Sequence, residues 1–423
     1  MDVFRIRGGR RLEGEWTVHT AKNAVLPIMA AAVLTSEKTF LEDCPFLSDV
    51  EHMGEILRTL GCRVARHSRT LEIDPQGMHS YEMPDGLAKK IRSSIFLLGS
   101  ILTRFRRATV TFPGGCEIGL RPIDLHLSGL RQLGVRIREE GGVICCEGDG
   151  MRAGDVHFDY PSVGATENVI MAAVLLPGQT VLSNVAREPE IVDLQNFLNA
   201  MGARVQGAGT HTIVIEGVSS LHGVSYRPMA DRIVAGTMLA AAAITGGTIC
   251  LHRVPATDMH AVFSKLKEMG CSLTQDRDSL LLRAPRRLQA FTQLQTQPHP
   301  GFPTDMQAQL LALATLAEGT SVLVENVFEN RYGHAGDLNR MGADVLINGR
   351  TAVVKGVGEL YGTRVTARDL RGGAALAIAG LKAKGETVIE QARLIDRGYE
   401  QLETALSSLG AEIVREHYQT GDT

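Results

Sequence analysis

"LQNFLNAMGARV", Leu194 to Val205, is the stretch whose reading decides how the chain is organised. Leu194, Phe197, Leu198 and Met201 fall at i, i+3, i+4 and i+7, the apolar stripe of an amphipathic helix. Gly202 stands where such a helix ends in a positive-φ conformation, and the residues after it open a strand. The same ending recurs as "LGCRV" at Leu60, "LGVRI" at Leu133, "MGCSL" at Met269, "MGADV" at Met341 and "LGAEI" at Leu409. Its glycines are Gly61, Gly134, Gly202, Gly270, Gly342 and Gly410, at spacings of 73, 68, 68, 72 and 68 residues. Six near-equal units therefore fill the chain.

Upstream in each unit lies a second helix, small and apolar nearly all round: "NAVLPIMAAAVL", "SSIFLLGSIL", "TENVIMAAVLL", "RIVAGTMLAAAAI", "MQAQLLALATLA" and "GGAALAIAGLKA". A helix without a polar face is buried, and Ala and Gly let its neighbours approach closely. β-Branched runs such as "GGTICLHRV" and "GETVIEQA" follow. Each unit reads as strand, buried helix, strand, covering helix and strand pair. The fold expected is α/β: two closed domains of three units each, helices inside and sheets outside. The polar stretch "SSLHGVSYRPMADR", Ser219 to Arg232, suits a hinge between them.

At 423 residues the chain is too long for one simple core. Hydrophobic content of 44% and charged content of 22% are those of a globular protein. A formal charge of −3 argues against a nucleic-acid surface, which needs concentrated Lys and Arg. The N-terminus lacks the apolar core of a signal peptide, and no Ala-rich stretch is long enough to span a bilayer. The expectation is a cytoplasmic protein that does not engage membranes. Its seven cysteines lack CxxC and zinc-like spacing, so free thiols, no metal and no cofactor are expected.

One of those cysteines is oddly placed. In "TFPGGCEIGLRP", Thr111 to Pro122, Cys116 follows two glycines and precedes Arg121, outside any apolar run. Other local patterns accompany it: "AKNAVLP" at Ala21, "PSVGATENV" at Pro161, "REPEIVDL" at Arg187, "GFPTDMQAQ" at Gly301, "VFENRYGH" at Val327, "DLRGGAAL" at Asp369 and "IDRGYE" at Ile395. In this order, and with six units in two lobes, the chain resembles the enolpyruvyl transferase superfamily nearly end to end.

The resemblance implies the inverted (inside-out) α/β barrel in two lobes, 22–229 with the cysteine loop and 1–21 plus 230–423, with a cleft that closes on substrate. The first strand would cross over to the C-terminal lobe. The local motifs point to the branch that joins the enolpyruvyl group of phosphoenolpyruvate to the 3′-hydroxyl of UDP-N-acetylglucosamine and releases phosphate, in peptidoglycan precursor synthesis. Cys116 then becomes the proton donor to the vinyl methylene and the site of a covalent adduct, with Arg121 biasing it toward thiolate. The paired glycines let its loop turn and move as a lid.

Further roles follow from the same resemblance. Lys22, Arg121 and Arg397 would pair the substrate's anionic groups, with Arg371 a further candidate. Asp305 would take the hydroxyl proton, and Asp369 would assist proton transfer. The nucleotide sugar would meet Asn23, Arg92, Asp305 and Val327, with Arg121, Pro122, Ile123, Asp124 and Leu125. Ser162, Val163 and Gly164 would line its diphosphate end.

Plainer readings compete at some positions. Asp305 could cap the helix that follows it, and Arg397 could pair with Asp396 or Glu400. "GAGTHT" at Gly207 lacks the third glycine of a dinucleotide fingerprint and reads as a hairpin. His19 and Thr20 stand where Ser-Gly is common in the family, Ser48 where a lysine is common, and Val234 where a glutamate is frequent. These departures keep open a weakly active paralogue that binds UDP-N-acetylglucosamine and regulates through a protein partner. The shikimate-pathway relative, which shares fold and phosphoenolpyruvate, lacks the cysteine loop.

Overall fold

The computed structural model describes residues 2–111 and 123–417. Each repeat follows one plan, clearest in the third. A short leading strand (Asp155–His157) precedes a buried helix (Val163–Ala173), a middle strand (Gln179–Ser183), a covering helix (Pro189–Ala200) and a hairpin (Arg204–Gln206, Thr212–Glu216). The leading strand runs parallel to the middle one, and the hairpin adds on its other side antiparallel. Among the described residues this plan yields five four-stranded sheets and one of three strands. In the latter the leading strand shrinks to a parallel bridge between Glu82 and Thr109.

The six glycines that end the covering helices all have positive φ, between 91° and 104°. Side chains other than glycine rarely adopt this backbone, which accounts for the repeat's sharpest marker. "GAGTHT" is a hairpin loop, with Gly207 and Gly209 also at positive φ.

The chain divides into two compact units, 2–19 with 230–417, and 20–111 with 123–229. The leading strands of the first and fourth repeats are exchanged between sheets. Glu13–Thr17 pairs parallel to Thr248–His252, while Ser225–Tyr226 pairs parallel to Thr39–Leu41. Asp2–Arg7 inserts antiparallel between Glu386–Glu390 and Glu412–His417 and completes the sixth repeat's sheet.

In the unit that includes the C-terminal half, the helices Arg232–Thr245, Gln307–Ala314 and Leu370–Gly380 pack on one another in the core. In the other, Leu97–Phe105 lies against Val163–Ala173 so closely that a Cβ on Gly99 would come 2.2 Å from the Asn168 carbonyl oxygen. The buried helices of the second and fifth repeats open as 3-10 turns, Arg92–Phe96 and Thr304–Met306. The apolar pattern alone does not separate those turns from the helices that follow.

Candidate active site

Cys116, Arg121 and Pro122 lie outside the described residues. The remaining candidates are carried by helix starts and turns in each unit.

In the unit 20–111 with 123–229, Lys22 is the first residue of the helix Lys22–Ala31 and is only 9% exposed. Its Nζ lies 3.2 Å from the carboxylate of Asp49, which is buried in the first turn of the helix Ser48–Thr59. Lys22 is thus a held cation and not a solvated one. Asp49 is a partner that sequence reasoning missed, because an acidic residue at a helix start reads as a dipole effect. Asn23 and Arg92 are half-buried, and Arg92 opens the 3-10 turn before Leu97–Phe105. Ser48 opens its helix, and Thr20 is buried with its hydroxyl donating to the Asp43 carbonyl at 2.6 Å.

Two helix starts meet in this unit. Ser162 caps Val163–Ala173, its Oγ accepting from the Ala165 N–H, and Val163 and Gly164 form the first turn. Ile123, Asp124 and Leu125 begin the helix Asp124–Gln132. A Cβ on Gly164 would stand 2.9 Å from His126 Cε1 and 3.0 Å from Phe96 Cε1, so only glycine lets the two starts approach this closely. Both present positive dipole ends, the local field that suits a phosphate.

Below them, the Asn168 amide holds the assembly together. It lies 2.9 Å from His126 Nδ1, donates to the Ile95 carbonyl and accepts from the Gly99 N–H. Burial, with the nearby charge of Arg92, pushes His126 down to about 3. In the unfolded chain it titrates near 6.5, so stability from its neutral form is present above that pH and is lost as pH falls. Going from pH 6.5 to about 5 should remove about 2 kcal/mol on this account. Urea midpoints at the two pH values should show a shallower loss in His126→Gln than in the parent.

In the other unit, Asp305 sits in the 3-10 turn Thr304–Met306. It does not cap the helix after it, which has no side-chain cap. Its carboxylate accepts instead from two arginines, Arg331 Nη2 at 2.7 Å on Oδ1 and Arg371 Nη2 at 3.0 Å on Oδ2. The side chains of Arg331 and Arg371 are 3% and 2% exposed, that of Asp305 25%. The carboxylate is thus the accessible end of a buried charge cluster. Burial alone would favour loss of the Arg371 proton, but Tyr399, Asp305 and Asp231 outweigh it and hold the guanidinium charged.

Asp369 caps Leu370–Gly380, its Oδ1 accepting from the N–H groups of Arg371 and Gly372. Glu325, fully buried, takes the hydroxyls of Thr296 and Thr304 and the N–H groups of Val327 and Phe328. It therefore fixes Val327 and the residue beside Asp305 together. Arg397 ends the 3-10 segment Ala392–Arg397 and is half-buried. Its neighbour Asp396 is held by Arg415, which also reaches Glu403 and stands over the Phe4 ring. Val234 lies in the first turn of Arg232–Thr245, partly buried against the core.

Among the described residues Cys44, Cys62, Cys146 and Cys271 are buried packing residues, Cys250 is half-buried and Cys145 is exposed. Burial raises Cys44 to about 11 and Cys62, Cys146 and Cys271 to about 12. Among the described residues no group of His, Cys, Asp and Glu has the arrangement to hold a metal, and no helix is long and apolar enough to cross a membrane.

Comparison with known proteins bears on what these groups serve. The chain is similar to UDP-N-acetylglucosamine 1-carboxyvinyltransferase 2 of Caldanaerobacter subterraneus subsp. tengcongensis, 51% identical over 98% of this chain and 100% of the relative. It is 48% identical to UDP-N-acetylglucosamine 1-carboxyvinyltransferase of Myxococcus xanthus, over 98% of this chain and 100% of that one. Among solved structures, the enolpyruvyl transferase NikO from Streptomyces tendae matches with a TM-score of 0.88 and 24% identity, covering 98% of each chain. EPSP synthase from Acinetobacter baumannii matches at 0.76 and 19%, covering 99% of this chain and 100% of that chain. These two establish the fold, the two-lobed α/β architecture expected from the six repeats. Residues 6–406 match the family model for EPSP synthase (3-phosphoshikimate 1-carboxyvinyltransferase), and with relatives at this identity over the full length the chain belongs to that enolpyruvyl transferase family.

Proposed function

We infer that this protein transfers the enolpyruvyl group of phosphoenolpyruvate to the 3′-hydroxyl of UDP-N-acetylglucosamine, with release of phosphate, in peptidoglycan precursor synthesis. The observation that carries the reading is the full-length 51% identity to a relative named for that acceptor, against 19% to EPSP synthase. A catalytically weak regulatory paralogue is not favoured. Lys22, Asp305 and Asp369 are held by specific partners, and the departures at Thr20, Ser48 and Val234 remove none of those contacts.

The residue roles are proposed as follows. The sugar 3′-oxygen attacks C2 of phosphoenolpyruvate while C3 gains a proton, giving a tetrahedral ketal. Loss of a C3 proton and of the phosphate then restores the double bond. Cys116 gives the C3 proton, and Asp305 accepts the hydroxyl proton. Lys22, Arg121 and Arg397 pair the phosphate and carboxylate, whose charge is costly to strip of water unless it is matched. The helix starts at Ser162–Gly164 and Ile123–Leu125 suit the diphosphate. Asn23, Arg92, Asp124 and Val327 orient the nucleotide sugar. Arg371 acts through Asp305, and Asp369 through its hold on the backbone that carries Arg371.

Phosphate release from phosphoenolpyruvate, followed with and without UDP-N-acetylglucosamine beside a Cys116→Ala control, tests the reading. Release that needs the sugar and vanishes in the control is expected. Release that responds to shikimate 3-phosphate and not to the sugar would overturn it. Gly164→Ala tests the diphosphate site: the forced clash with His126 and Phe96 displaces the first helical turn, and KM for UDP-N-acetylglucosamine should rise about ten-fold. KM for phosphoenolpyruvate should barely change, and equal rises in both would count against the placement.

A further inference from the structure

Five repeats end their sheets on the outer strand of a hairpin and the sixth on Glu412–His417 beside Asp2–Arg7, and an open strand edge is a template for pairing with another chain. Four of these edges carry charged or polar residues on the solvent face: Arg63 and His67; Arg136, Arg138 and Glu140; Arg204 and Gln206; Ser272, Thr274 and Asp276. A fifth, Glu412–His417, exposes Val414, but its cross-strand neighbour is Arg5. Arg5 in turn bridges Glu386 and Glu416, so charge surrounds the valine.

The edge strand Asp344–Asn348 of the fifth repeat differs. Leu346 at its centre is 66% exposed and pairs across with Val353, 37% exposed, which pairs with Val322. An apolar row thus runs over the outer face straight to the open edge. Among the described residues, no strand lies beyond Asp344–Asn348.

We propose that this edge pairs with the same edge of a second copy, antiparallel and centred on Leu346. Three features of the strand favour a copy of itself as occupant. First, the sequence Asp-Val-Leu-Ile-Asn is self-complementary about its centre. The twofold register sets Leu346 against Leu346, Val345 against Ile347 and Asp344 against Asn348, with no like charges opposed. Second, the backbone is available in that register. The hairpin turns through Gly349, at φ +56°, and Arg350, so the closing pair Asn348–Thr351 exchanges hydrogen bonds. Alternation along the ladder then turns the N–H and C=O groups of Val345 and Ile347 outward, where each can bond its opposite number. Third, the row becomes continuous across the axis, Val322–Val353–Leu346 meeting its own mirror sequence. Ile347, 38% exposed, gains Val345 of the second copy as a neighbour. An interface of this size gives a weak, concentration-dependent dimer.

Sedimentation of the full chain over about a hundred-fold concentration range reads the association. A dimer fraction that grows with concentration is expected. Leu346→Lys should weaken it at least about ten-fold, and Val414→Lys should leave it unchanged. A register test in a Cys116→Ser, Cys145→Ser background removes the loop thiol and the cysteine that is exposed among the described residues. Oxidised Leu346→Cys should cross-link to itself, since a non-hydrogen-bonded pair sits within disulfide reach. Asp344→Cys alone should not, its two copies lying about 14 Å apart, but mixed with Asn348→Cys it should. A monomer at every concentration would overturn the proposal, as would association indifferent to Leu346→Lys. Self-linking of Asp344→Cys as readily as Leu346→Cys would do the same.

Discussion

Cys116→Ser should fold like the parent and lose about 100- to 10,000-fold in turnover, the range a positioned general acid contributes. Serine keeps the size of the side chain but not its acidity, so it cannot deliver a proton to a vinyl carbon near neutral pH. Phosphate release under saturating substrates measures the loss, and a serine enzyme with parental turnover would sink the assignment. Cys116→Asp separates acidity from nucleophilicity. A carboxyl can still give a proton, whereas alkylation by the epoxide fosfomycin needs the thiolate. The aspartate enzyme should therefore retain measurable turnover and resist the drug. An aspartate enzyme still inactivated covalently would show that the drug acts elsewhere.

The other thiols sharpen this expectation. Cys44, Cys62, Cys146 and Cys271 are buried, with proton affinities raised to about 11 or 12, and Cys250 is raised as well. At neutral pH they are almost wholly protonated and make poor nucleophiles. Cys145 is exposed, so the test uses a Cys145→Ser background, in which intact mass after fosfomycin treatment should show one adduct, absent once Cys116→Ser is added.

What could be read from sequence follows from how local each determinant is. The helix-ending glycines were legible because a positive φ is a demand the chain meets at one residue, at Gly61 as at Gly410. The exchange of Glu13–Thr17 into the sheet of Thr248–His252 was not legible from spacing, because a parallel strand's partner is chosen by distant packing. It entered only as an implication of the family resemblance. In the site, Asp305 and Lys22 could be singled out by their motifs, but not what holds them. Arg331 in "ENRYGH" and Glu325 just before it look like surface charges in a polar loop, yet Arg331 is 3% exposed and Glu325 wholly buried. The capping reading of Asp305 failed for a related reason. A 3-10 turn shifts the helix start to Gln307 and leaves the carboxylate to the arginines.

Those arginines make Asp305 the position where chemistry and stability are most tightly joined, and substitutions there should separate the two. Asp305→Ala leaves two buried guanidiniums, at Arg331 and Arg371, without their carboxylate. Breaking a buried pair in this way costs about 3–5 kcal/mol, and the partial exposure of Asp305 places the expected loss at about 3. Asp305→Asn keeps the shape and one acceptor oxygen but turns an amide N–H group toward one guanidinium. It should destabilise less, and still lose about 100- to 10,000-fold in turnover, because the amide cannot take the sugar's proton. The double variant Asp305→Ala with Arg331→Met removes one of the stranded charges, so it should recover part of the stability lost in Asp305→Ala and none of the turnover. Urea unfolding and phosphate release on the same four proteins provide both readouts. Parental turnover in Asp305→Asn would remove Asp305 from proton transfer and leave it a structural counter-ion. Recovery of turnover together with stability in the double variant would mean that the arginines, not the carboxylate, had limited the reaction in Asp305→Ala.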